Sequence, residues 1–222
     1  MKTDKLLKLL LAVLLWAPVI FFSGLLIHNS FLYFSFDQTY GILPEKTEQI
    51  NNPLWLASFY VHVLSGIVCL IIPPFSFIGV QLKKSVKFHR IIGQIYTWNM
   101  LAVLAPTGIY MGFYAKGGIS SQAGFILQGI LVFIFTWYGY KTASTSIGQH
   151  RDWMIRSFAI VSSVITFRIL HLAFMFINLS YEDIYGLSQW VSLTGHIFLG
   201  EAVILLKQKK SSVSFKHKLI TT

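Results

Sequence analysis

Four ionisable side chains stand inside long apolar runs of this sequence: His62, Arg168, His171 and His196. A charge at the centre of a bilayer costs about 3 kcal/mol or more unless it is paired or hydrated, so each is a candidate functional residue. Neutral imidazole is a standard axial ligand of haem iron, and two helices of a bundle can each supply one to sandwich a porphyrin. An arginine nearby then pairs with a haem propionate or a quinone headgroup. Imidazole also binds zinc, copper or non-haem iron, but those sites usually recruit a carboxylate or thiolate, and none lies at the depth of these histidines. A hydrated proton relay needs only His and Arg along a wet path, and helix-to-helix hydrogen bonding needs no ligand at all.

A second group stands where apolar runs begin. His89 with Arg90 opens one run, His150 with Arg151 opens another, and Arg156 follows His150 by six residues. Gly66 lies four residues after His62 and Gly93 four after His89, so the face beside each histidine is bare and a flat cofactor or a backbone can approach. Other chemistries leave no trace: the sequence holds no H-E-x-x-H, G-x-S-x-G, Walker loop or C-x-x-C. Cys69, the sole cysteine, forms no intramolecular disulfide.

The elements that must position these residues are membrane helices. Of the 222 residues, 55% are hydrophobic and 12% charged, with a mean hydropathy of +0.63; a soluble domain carries about 25% charged residues. Six runs have the roughly 20 apolar residues a helix needs to cross the hydrocarbon. They cover approximately 7–27, 54–78, 91–115, 123–143, 153–179 and 187–206. The first is a retained helix and not a cleaved signal, because its apolar stretch is too long and no small-x-small site follows. The implied fold is an all-α integral membrane protein, a single transmembrane domain over 1–222, with six transmembrane helices in an antiparallel bundle centred on helices two to five. Inside the spans, Pro73 and Pro74 should disturb the end of span two, Pro106 should kink span three, and Gly108 and Gly112 offer a small-x-x-x-small face for close packing.

The net charge of +10 arises between the spans, which makes it membrane topology and not nucleic-acid affinity. Lys2, Lys5 and Lys8, then Lys83, Lys84, Lys87 and Arg90, then Lys141 and Arg151, then Lys207, Lys209, Lys210, Lys216 and Lys218 all fall on one side. The opposite loops hold Lys46 and Lys116 among Asp37, Glu45, Glu48, Glu182 and Asp183. The positive-inside rule therefore predicts both termini in the cytoplasm, in a cytoplasmic or equivalent energy-conserving membrane. Within these span limits His62 lies 8 residues after Leu54, His171 lies 8 before Leu179 and His196 lies 9 after Leu187. At about 1.5 Å per residue the three share a depth of roughly 12 to 14 Å, an outer layer.

The order Phe59-Tyr60-x-His62-x3-Gly66, His89-Arg90-x2-Gly93-x2-Tyr96, Gly117-Gly118 before Gly124-Phe125, His150-Arg151-x-Trp153-Met154-x-Arg156-Ser157 and Thr166-x-Arg168 resembles the bacterial membrane-protein family catalogued as domain of unknown function 2306. The resemblance runs from about Leu54 to His171. It implies a multi-pass membrane protein, singles out His62, His89, His150, Arg156 and Arg168, and implies no particular chemistry. A looser likeness of architecture is to the two-haem membrane cytochromes b, whose histidines lie several residues inside the helix ends, whereas His89 and His150 stand almost at the boundary. The expected function is electron transfer by b-type haem, exchanging electrons with quinone or a redox partner. His62 with His171 or His196 would ligate the iron, and Arg168, His89, His150 and Arg156 complete the cofactor-binding candidates. The alternatives are a small-solute or proton-coupled transporter and a structural or accessory subunit without cofactor. The expected partner throughout is the lipid bilayer, with no nucleic acid.

Overall fold

The computed structural model describes residues 20–81 and 86–220. Residues 7–19 of the first expected span therefore lie outside the described residues, as do Lys2, Lys5, Lys8, Lys83 and Lys84. In hydrocarbon a backbone has no partner but itself, so long apolar runs become helices. Among the described residues the order is α1 Ile20–Ser35, which closes in the 3-10 turn Tyr33–Ser35, the short α2 Thr47–Ile50, α3 Pro53–Gln81, α4 Val86–Asn99, a π turn Met100–Leu104, α5 Ala105–Gly112, α6 Gly118–Thr142, α7 Ile147–Phe174 and α8 Tyr181–Ile220. No strand occurs among them.

Four stretches are long and apolar enough to cross a membrane: Pro53–Pro73, Gly118–Thr142, Ile147–Phe174 and Tyr181–Lys209. The sequence predicts six, and the two others fall short for different reasons. α1 is described only from Ile20. The third expected span is cut by the π turn into α4 and α5, each too short alone, although right-handed helical dihedrals at Asn99 (φ −60°, ψ −40°) and Ala105 (φ −68°, ψ −48°) carry the chain through both joints. Val86–Gly112 is thus one rod of about 40 Å.

Proline explains that interruption. Pro106 has no N–H and its ring crowds the carbonyl four residues back, at Ala102. The expected kink takes the form of the wider π turn just before it, and the Thr107 hydroxyl donates to the Val103 carbonyl at 2.6 Å, replacing a lost backbone donor. Pro73 and Pro74 break nothing: α3 continues to Gln81.

The bundle is not centred on spans two to five. α7 packs most extensively on α8, then on α6, and α6 also meets α8. Its core contains Cys69 of α3, Tyr96 of α4, Met100, Ala105, Val132 of α6, Ile160 and Val161 of α7 and Leu193 of α8, so every helix from α3 onward contributes. Polar Ser188, Gln189 and Ser192 give α8 a weaker apolar signature, yet all three are buried inside the bundle. Gln189 donates to Gln128 at 2.8 Å and Gln128 to Ser163 at 3.0 Å, tying α8, α6 and α7 at mid-height. Outward, Phe133, Ile134, Phe198, Leu199 and Leu205 stay exposed, as a lipid-facing surface requires.

Candidate functional site

The expected outer layer of histidines does not form, because the helix ends lie elsewhere than apolarity suggests. α7 stops at Phe174 and α8 starts at Tyr181. Counted from these ends, His171 is about 5 Å deep, His196 about 22 Å and His62, nine residues into α3, about 14 Å. The imidazoles of His62 and His196 are taken up locally. His62 Nδ1 bonds Thr107 Oγ1 at 3.0 Å, and the Leu104 carbonyl is also its partner. His62 thereby serves the carbonyls loosened by the π turn, and its Cε1 lies 3.0 Å from where a Cβ on Gly108 would stand. The bare face at Gly66 is filled by Leu104 Cδ1, 3.9 Å from the corresponding Cβ position. His196 Nδ1 meets the Ser192 carbonyl of its own helix at 2.9 Å.

Arg156 is committed as well. Its Nε and Nη2 donate to the two carboxylate oxygens of Glu201, the second at 2.9 Å, and its guanidinium lies 4.7 Å from the Trp153 ring centre. This fork joins α7 to α8 where Gly200 lets the helices approach, its Cβ position 3.2 Å from that of Ala159. Arg168 instead is exposed, with its guanidinium 5.5 Å from the Phe167 ring centre.

What the structure does bring together is His89 and His150. His89 lies among the first described residues of α4 and His150 three residues into α7, at the same end of the bundle. α7 begins there because Ser146 caps it, accepting from the Gln149 N–H at 3.4 Å. The ring centres are 6.4 Å apart and the planes 85° from one another. His150 Nδ1 bonds the Gly139 carbonyl of α6 at 2.8 Å. The Nδ1 of His89 is buried and finds no hydrogen-bond partner among the described residues. Beside it the Cβ position of Gly93 is open, with nothing within 4 Å.

The two helices that carry this pair share one pattern: a His-Arg pair stands close to the first described residues of each, His89-Arg90 in α4 and His150-Arg151 in α7. Seven residues on, at Tyr96 and Ser157, the same two faces meet again: the Tyr96 hydroxyl is 2.9 Å from Ser157 Oγ, which is 2.7 Å from Thr136 Oγ1. Sequence inspection finds no repeat because only His-Arg is shared. No group of three or more His, Cys, Asp and Glu is placed to hold a metal ion among the described residues.

An all-helical chain with apolar helices of membrane-crossing length, a lipid-like exterior and polar groups gathered inside defines an integral membrane protein. The chain matches the family model described as Predicted membrane protein (DUF2306) over residues 59–204, and it belongs to that family. The match reaches past His171, where the sequence resemblance stops, and takes in His196 and Glu201 of α8. No curated protein and no solved structure matches the chain.

Proposed function

We propose that this protein is a membrane electron carrier in which His89 and His150 are the two axial ligands of a b-type haem. The observation that carries the reading is the arrangement of their four ring nitrogens. His150 Nδ1 is engaged with the Gly139 carbonyl of a neighbouring helix, and the facing His89 keeps a buried Nδ1 with no hydrogen-bond partner among the described residues. A carbonyl partner of that kind fixes the tautomer of metal-bound histidines and leaves the other nitrogen as the ligand. Metal–nitrogen bonds of about 2.0–2.1 Å on opposite sides of one ion set two imidazole centres roughly 6 Å apart, whereas a tetrahedral ion draws them to roughly 5 Å. The separation of 6.4 Å fits opposed ligands, and opposed ligands leave an equatorial plane for a porphyrin. Haem would supply reversible one-electron transfer, with quinone or a protein redox partner as the other couple. Arg90, exposed beside His89, offers a propionate its counter-charge.

The finer topology belongs to this reading too: six spans, with α1 and the rod Val86–Gly112 as the first and third, and both termini in the cytoplasm with the haem end. The experiment is an absorption spectrum of protein purified in mild detergent from haem-supplied cells. A Soret band that shifts on dithionite reduction is expected, lost in both His89→Ala and His150→Ala and kept in His62→Ala and His171→Ala. A colourless wild-type protein would sink the proposal.

A further inference from the structure

At the bundle end away from His89 and His150, the described cations are nearly all accounted for. Lys116 pairs with Glu45 and lies 5.6 Å from the Tyr181 ring centre. Lys46, buried beneath the loop, donates to the Tyr114 carbonyl, and burial together with Lys116 holds it below the ordinary ammonium range. Arg168 differs. It is exposed, six residues or about 9 Å inside the end of α7, and has no carboxylate among the described residues. A guanidinium at that depth needs a counter-anion, and no carboxylate among the described residues pairs with it.

The surroundings of Arg168 are built to hold something. His171, one turn further along the same face, stacks on Phe167 at 5.9 Å and 14° and meets Tyr181 and Tyr185 edge-on at 5.7 and 5.1 Å. Its ring is fixed by three neighbours, yet buried Nδ1 has no hydrogen-bond partner among the described residues. Glu45, Lys116 and Arg168 all act electrostatically on Tyr181, so this corner holds two cations and the single carboxylate with which Lys116 pairs. Leu172, Met175 and Phe176 leave it exposed and apolar on the lipid side. A fork of N–H donors, a fixed imidazole and phenols at interfacial depth beside an apolar surface match an anionic oxygen group carried on acyl chains.

We infer that Arg168 and His171 bind the phosphate-ester headgroup of an anionic membrane lipid. The bidentate guanidinium takes the phosphate oxygens, and the neighbouring rings hold the headgroup laterally. Native mass spectrometry of the protein from mixed micelles of phosphatidylglycerol and phosphatidylcholine tests this. Wild type should retain phosphatidylglycerol in preference, by about tenfold, and Arg168→Ala should lose the preference. His171→Phe, which keeps the stacking, should weaken it without lowering the melting temperature. Because the wild-type comparison needs no variant, a folding defect cannot hide the answer. Equal retention of the two lipids, or an Arg168→Ala protein that retains phosphatidylglycerol as wild type does, overturns the inference. Displacement of the lipid by millimolar inorganic phosphate overturns the lipid source and assigns the same residues to a free anion. None of these results depends on whether the protein carries haem.

Discussion

His62 and His150 both turn Nδ1 toward a neighbouring helix, and they differ in what is left over. Around His62 the Thr107 hydroxyl and the Leu104 carbonyl absorb the ring, while the Gly108 face presses on Cε1. Such an imidazole bridges a loosened turn, and its second nitrogen serves no outside group. His62→Ala should therefore cost about 1–3 kcal/mol of bundle stability, the range for a buried hydrogen bond removed with its side chain, visible as a lower thermal midpoint in detergent. The spectrum should not change. His150→Ala should do the reverse in the visible range, erasing the absorption band that the proposed ligation produces. A His62 variant that lost the band while His150→Ala kept it would exchange their roles.

Among the elements, closeness of approach is set by glycine. Gly129 of α6 sits against α5: a Cβ there would stand 2.6 Å from Ile109 Cγ1 and 3.3 Å from its backbone nitrogen. The near end of a β-branched side chain cannot swing aside, so Gly129→Ala should lose about 1–3 kcal/mol to overpacking, more than the roughly 1 kcal/mol alanine returns as helix propensity. Gly195 of α8 is the control, with nothing within 4 Å, and Gly195→Ala should be neutral or slightly stabilising. Equal melting temperatures for the two variants would refute the close contact.

The same elements show how far sequence reaches. Spans two and four match α3 and α6 to within a few residues, because their polar flanks coincide with their helix ends. Spans five and six were misplaced because Met175–Leu179 is apolar without being α-helix, while Tyr181–Gly186 is helical despite Glu182 and Asp183. Hydropathy measures solvent preference; a helix start is set by capping. Ser146-x-x-Gln149 and Ser180-x-x-Asp183 both have capping-box spacing, and both serine hydroxyls accept the N–H three residues on. Those two motifs would have moved His171 to the membrane boundary and His196 to mid-bilayer. The pairing of His89 with His150 was legible only as a shared depth, since adjacency of α4 and α7 depends on packing that no local pattern encodes.

For the molecule as a whole, the open question of α1 reduces to which side of the membrane the N-terminus occupies. The chain enters α3 at Pro53, the same end at which the ring of Tyr33, closing α1, meets Phe59 at 5.0 Å. α1 therefore leads back from that end, and a crossing returns the N-terminus to the side of His89 and His150. Cys69 is the sole cysteine, so Cys69→Ser provides a cysteine-free background. Glu48 and Thr145 are exposed, at opposite ends of the bundle, and cysteines placed there should react with an impermeant thiol reagent from opposite faces of sealed vesicles. Thr3→Cys should react from the face of Thr145→Cys. Reaction of Thr3→Cys from the face of Glu48→Cys instead would leave α1 short of a crossing and make the number of spans odd. The positive-inside rule predicts the absolute direction: with lysines at the His89 end, that end is expected in the cytoplasm, so the Thr145 position should be protected in intact cells and the Glu48 position accessible.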